Sequence, residues 1–267
     1  MNNRNNIPTE LIYQVFSLLI AFIVVHSIYI SVIRPEADSF MQQEHEQMLA
    51  DSSYVQKRNF YVVVRDYEQE ACFILMIWAL SILAFKGYYS WQEKKLLEED
   101  LLKIPYDMPI ATEDTKPLLQ RLNDLPSKIR DYLIPRALKM AIERFSATEN
   151  VQDAHSAMRD ICESEGQRLD TELSIIRYIA WAIPSVGFIG TVRGIGDALS
   201  QANRAMEGDI TGVTQSLGVA FNSTFIALVI SIVLMFFIHQ LQLWQERLVL
   251  DSENYCDRNL ISRLRSH

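Results

Sequence analysis

The sequence predicts an all-α membrane protein: four transmembrane helices with a helical cytoplasmic domain. Three observations predict it. Apolar residues, 49% of the 267-residue chain, gather in blocks. Four of those blocks reach the length of a bilayer-spanning helix. No alternating pattern of strand length occurs anywhere in the chain. The average composition, 22% charged with a formal net charge of −8, is that of an ordinary soluble domain and conceals the blocks.

Taken in order, residues 1–10 form a cytoplasmic N-tail. The first span, 11–33, carries no charge apart from the titratable His26. A helix of that length covers roughly 34 Å at about 1.5 Å per residue, enough to cross a bilayer core. The segment is too long for a cleavable signal, only Arg4 flanks it, and no small-residue cleavage site follows. Residues 34–70 make a charged periplasmic loop. The second span, 71–91, ends in Lys86, Tyr88, Tyr89 and Trp91, read as interfacial anchors with the lysine snorkelling outward. The third block, Tyr178–Val192, extends to a span over 175–199. After a loop at 200–216 comes the fourth span, 217–242, within a stretch from Ile210 to Gln245 that is uncharged except for His239. Lys and Arg are denser beside the faces that hold the termini, which places both termini inside.

The cytoplasmic domain, 92–174, starts with a charged helix over Glu93–Lys103. A proline-bearing linker follows at Ile104–Pro117. Helical pattern resumes over Leu118–Phe145, with interruptions expected at Pro126 and Pro135. Val151, Ala154, Met158, Ile161, Leu169, Leu173 and Ile176 then recur at helical spacing, broken once by Glu165, and run on into the third span. In the tail, 243–267, Trp244, Leu248, Tyr255 and Leu264 mark an amphipathic helix. These stripes read as packing within the bundle.

Several function classes are excluded. An acidic chain without a basic cluster argues against nucleic acid. Cys72, Cys162 and Cys256 are far apart, without a Cys-x-x-Cys pair, so neither a disulfide framework nor a thiolate zinc site is expected. The five histidines lack metal spacing, and no helix sets a nucleophile beside a base, so no enzyme and no cofactor is expected.

Seven of the nine glycines lie between Gly187 and Gly218. On the third span Ala180, Pro184, Gly187, Thr191, Gly194 and Ala198 step by three or four residues and share one helix face, with Gly190–Gly194 as a GxxxG pair. Ala220, Thr224, Ala227 and Ser231 repeat the pattern on the fourth span, flanked by Asn222 and Ser223. Counted from the short loop between them, Thr191 and Thr224 stand at similar depth. Each stripe alone fits helix packing with hydroxyls bonded back to their own helix. Paired stripes at matched depth also suit cation coordination or ordered water. The only carboxylate on these two spans is Asp197, one turn from Arg193, and the two are expected to pair at the outer mouth. A mid-membrane acid is missing, so a titrating group would have to come from a partner.

The stretch Ile183-Pro-Ser-Val-Gly-Phe-Ile-Gly-Thr-Val-Arg-Gly-Ile-Gly196 resembles the Pro-x-x-Gly-x-x-Gly-Thr-Val-x-Gly motif of the MotA/TolQ/ExbB proton channel family. Ala220-Phe-Asn-Ser-Thr-Phe-Ile-Ala-Leu228 is similar to that family's looser second motif, and the likeness covers roughly 150–245. The resemblance implies a homopentameric ring in the bacterial inner membrane around a dimer of a MotB-, TolR- or ExbD-like single-span protein that supplies the aspartate. Proton or sodium flow would then drive the work. It implies an ion path past Thr191 and Thr224, with Ser223 and Asn222 beside them. Val219 stands where ExbB-like members carry a glutamate, Ala227 replaces a glycine, and Arg193 takes a position usually apolar. The alternative reading is a four-helix scaffold or receptor without ion conduction.

Overall fold

The computed structural model describes residues 9–50, 59–105 and 108–265. Eleven α-helices lie among them: α1 Thr9–Ile28, α2 Arg34–Ala50, α3 Phe60–Val63, α4 Tyr67–Lys95, α5 Thr115–Asn123, α6 Ser127–Arg130, α7 Leu133–Thr148, α8 Val151–Glu172, α9 Ser174–Ser200, α10 Ala202–Met206 and α11 Thr211–Asn259. Among the described residues there is no strand, only one bridge at Ile110 and Leu264. Four helical runs, Glu10–Met48, Tyr67–Glu98, Val151–Ser200 and Thr211–Arg263, are long and apolar enough to cross a membrane. The chain is a multi-pass all-α membrane protein.

Each apolar block sits inside a longer helix. A π turn at Tyr29–Ile33 joins α1 to α2, so the charged segment after the first block is helical as far as Ala50. Pro35 follows that turn and has no amide to give the carbonyl four residues back, and a π turn is one way a helix absorbs such a break. The last block lies within α11, 49 residues long. A single turn residue, Leu173, separates α8 from α9.

The chain divides into two compact units, one of residues up to Leu83 with Ile175–Ile238, the other of Ala84–Ser174 with His239–His267. In the first unit α1 lies on α4. Ala21, Val25 and Tyr29 are buried there, as are Ala79 and Ile82. Polar contacts fasten both ends of this pair. At one end Tyr13 Oη meets Ser81 Oγ at 2.8 Å and Trp78 Nε1 donates to the Gln14 carbonyl at 2.9 Å. At the other, His26 Nδ1 lies 2.5 Å from Glu70 Oε1, and Arg34 donates to the other oxygen of the same buried carboxylate. With no water to replace such bonds, each resists separation of the helices more than an exposed pair would.

In the second unit α7 and α8 form an antiparallel hairpin. Glu149 turns the chain in the left-handed region at φ 52°, and Asn150 caps α8 by accepting from the Gln152 amide at 2.8 Å. Leu138, Ile142 and Phe145 of α7 pack with Ala154, Met158 and Cys162 of α8 and with Tyr255 and Leu260 of α11. Tyr255 Oη donates to the Glu99 carbonyl at 2.7 Å and accepts from the Leu101 amide at 3.2 Å, holding the segment after α4 against α11.

The helical pattern breaks ahead of both prolines: α5 ends at Asn123 before Pro126, and α6 ends at Arg130 before α7 starts at Leu133, with Pro135 its third residue, where the missing N–H had no helical acceptor to lose. Two sequence expectations are corrected here. Lys86 does not snorkel outward. It is 4% exposed and donates to Glu172 at 2.9 Å, while Tyr88, Tyr89 and Trp91 do face outward. Glu165 is not an interruption of the buried stripe but part of it, 2% exposed and held by Arg136 at 3.0 Å and by both ends of the Arg168 guanidinium.

A buried carboxylate left without a cation costs about 3–5 kcal/mol. Each arginine alone can still neutralise Glu165. Arg136→Met and Arg168→Met should therefore each lower the thermal midpoint of the solubilised protein only slightly, and the double variant by clearly more than their sum. A differential scanning measurement on all three tests this, and additive shifts would contradict it.

Candidate functional site

The site is built on α9 and α11. Gly187, Gly190, Gly194, Ala180 and Ala198 of α9 are buried, and so are Ala220 and Ala227 of α11. A Cβ placed on Gly187 would overlap the Ala227 methyl and come within 3.0 Å of the Ser223 carbonyl oxygen. One on Gly190 would lie 2.6 Å from Ser223 Cβ, and one on Gly194 would lie 2.8 Å from the Ser216 carbonyl oxygen and 2.9 Å from the Ala220 amide nitrogen. The two backbones thus meet along three successive turns only because side chains are missing.

Pro184 lies inside α9 and withholds an amide from the carbonyl of Ala180, four residues earlier. Ser231 Oγ donates to that carbonyl from α11 at 2.9 Å. The orphan acceptor that proline creates is satisfied by the neighbouring helix, as a bilayer core requires. Pro184 and Ser231, separate members of two stripes in the sequence, are one device in the fold.

Two turns beyond Pro184 on α9, Thr191 faces Thr224 of α11 with their hydroxyl oxygens 2.5 Å apart. Thr224 donates to the Gly187 carbonyl at 3.1 Å, and Thr191 lies 3.0 Å from the Ala220 carbonyl and 3.5 Å from that of Gly187. Two hydroxyl protons cannot serve all of these contacts at once, so the pair has more than one bonding arrangement, and either oxygen keeps lone pairs for water or a cation.

Ser223 and Asn222 do not join this pair. Ser223 is wholly buried; it donates to Val219 on its own helix at 3.0 Å and accepts from Gln69 Nε2 of α4 at 3.3 Å. Asn222 lines a separate cavity beside the 59–66 segment. Arg193 likewise has a principal partner the sequence did not supply. Its Nε and Nη2 reach Glu68 of α4 at 2.7 and 2.8 Å, whereas Asp197 is 3.8 Å away. Glu68, Gln69 and Glu70 lie in the first turn of α4; Glu68 stands 125 positions before Arg193 of α9 and Gln69 stands 154 before Ser223 of α11, and no periodicity within one helix links such distant positions. The signal available was coarser: three polar residues at the entrance to an apolar span.

Residues 127–254 match the model of the MotA/TolQ/ExbB proton channel family. The likeness thus reaches beyond 150–245 to include α7 at one end and most of the α11 extension at the other, while α1 and α4 lie outside it. No curated protein and no solved structure matches the chain.

Adding one methyl group where no space exists costs about 1–3 kcal/mol. Gly194→Ala, which meets backbone atoms, should destabilise the solubilised protein by that amount. Gly196→Ala, with nothing within 4 Å of the new carbon, should be neutral or stabilising by up to about 1 kcal/mol. Thermal midpoints of the two variants make the comparison, and equal shifts would remove the close contact as the explanation.

Proposed function

We propose that this chain, whose residues 127–254 match the model of the MotA/TolQ/ExbB proton channel family, is the ring-forming subunit of an ion-driven motor rather than an enzyme. In this reading it sits in the bacterial inner membrane with both termini in the cytoplasm. A pentamer of it surrounds a dimer of a single-span protein resembling MotB, TolR or ExbD, and protons or sodium ions pass between the two. The ion flow turns one component against the other and does work elsewhere in the envelope or cell.

The observation that carries the reading is the Thr191–Thr224 contact, two hydroxyls 2.5 Å apart on helices pressed together by glycine. Such a pair can hand a hydrogen bond back and forth or give its lone pairs to a cation without rearranging the backbone. The same two helices contribute no carboxylate along their spanning length apart from Asp197 near the end of α9. A conducting path here therefore needs an acid from another chain, which is what a partner of the expected kind brings. Trp181, Phe188, Phe221 and Ile232 on the outward faces leave ample apolar surface for lipid and neighbouring copies.

A second reading also has an observation in its favour. Thr224 is bonded to a backbone carbonyl of the facing helix at 3.1 Å, so the pair already serves as glue. A scaffold without ion flow would use it in the same way.

Coexpression with the neighbouring single-span protein, followed by native mass spectrometry and flux measurement in proteoliposomes, separates the two. Thr191→Val with Thr224→Val removes both hydroxyls at nearly constant volume. Ion flux should fall about ten- to a hundredfold, the equivalent of one hydrogen bond to a charged group, roughly 1.5–3 kcal/mol, while the assembly keeps its mass. Unchanged flux, or no companion in the complex, would favour the scaffold.

A further inference from the structure

A cavity of about 280 Å³ opens in the first unit beside the segment that leads into α4. Asn59, Arg65 and Asp66 line one wall. Thr214, Gly218 and Asn222 line the other, spaced by four residues and so stacked on one face of α11 over roughly 12 Å of helix. At about 30 Å³ per molecule the space holds roughly nine waters. Its charges do not form an ion trap. The Arg65 guanidinium, part of the wall, is already engaged by Asp38 at 3.3 Å and by Met41 Sδ, another lining residue, at 2.8 Å, and Asp66 is the one carboxyl in the lining, among amides and a hydroxyl. Burial pushes the Asp66 carboxyl above the usual carboxylate range, against the pull of the Arg65 and Arg193 guanidiniums.

Gln69 stands behind this cavity. It is wholly buried, and its Nε2 donates to the carbonyl of Val63, itself a lining residue, at 3.1 Å and to Ser223 Oγ at 3.3 Å. Its Oε1 is buried and accepts from no protein atom. A buried amide oxygen without a donor is a place for water. Polar groups thus continue from the cavity through Gln69 to Ser223, the neighbour of Thr224.

We infer that this cavity is a hydrated inlet, admitting water and the protons it carries from the face of the 59–66 segment down α11 to Asn222, with a water on Gln69 Oε1 at its inner end. The identity of the carried ion rests on the channel reading above; the water access does not.

The test reads water directly. In a background with Cys72, Cys162 and Cys256 replaced by alanine, Gly218→Cys, Asn222→Cys and Phe221→Cys are assembled with the coexpressed partner. They are then treated in right-side-out vesicles with a membrane-impermeant methanethiosulfonate. Phe221 points outward from the bundle at 66% exposure, away from the cavity. A thiol in water keeps its ordinary thiolate fraction, and one against lipid loses about tenfold for each unit its pKa rises. The cavity positions should react at least about tenfold faster than the Phe221 position. Gly218→Cys keeps the test open if Asn222→Cys fails to assemble, because nothing lies within 4 Å of the new carbon. Labelling at the Phe221 rate, or only in inside-out vesicles, overturns the inlet. Rapid labelling in a protein that conducts no ions upholds the inlet and sinks the channel reading alone.

Discussion

The site in the first unit depends on how closely α9 and α11 approach. Lipid tails are as apolar as leucine, so burial of hydrophobic surface does little to hold spanning helices together. Dispersion between close backbones and hydrogen bonds across the contact do most of the work. Gly187, Gly190 and Gly194 remove the side chains that would hold the axes apart. The short distance then brings Ser231 to the carbonyl that Pro184 leaves unserved, and brings Thr191 to Thr224. Proline, glycine and hydroxyl residues, each a poor choice for an isolated helix, are mutually consistent once the two helices are in contact.

The helices outside the family match are attached by a different means. Along α1 and α4 the contact is held by polar pairs, Tyr13 with Ser81 at one end and His26 and Arg34 with Glu70 at the other. Glu68 and Gln69 then extend α4 to α9 and α11 through Arg193 and Ser223. Neutralised charge at the membrane boundary gives each of these contacts one geometry, because a displaced helix would strand a carboxylate or a guanidinium in a medium that cannot solvate it.

The second unit follows the rules of water-soluble bundles. Its apolar stripes meet in one core around Phe145, Met158 and Tyr255, and the deeply buried carboxylate of Glu165 is enclosed by two guanidiniums. Lys86 and Glu172 neutralise each other in the same unit.

The sequence by itself determined the class, the four apolar helices and the face of α9 and α11 that would be small. These are written in residue counts and in steps of three and four along one helix, and such regularities survive any arrangement of the rest of the chain. It also carried the stretch between Ile183 and Gly196 that resembles the family's motif. Only the tertiary structure decided which partner each polar residue has. Arg193 takes Glu68 over the nearer-in-sequence Asp197, and Asn222 leaves the threonines for a cavity of its own. Periodicity records where a side chain points along its own helix. A charge or hydroxyl is settled by whatever lies across the contact, often more than a hundred residues away, and that depends on how the helices pack.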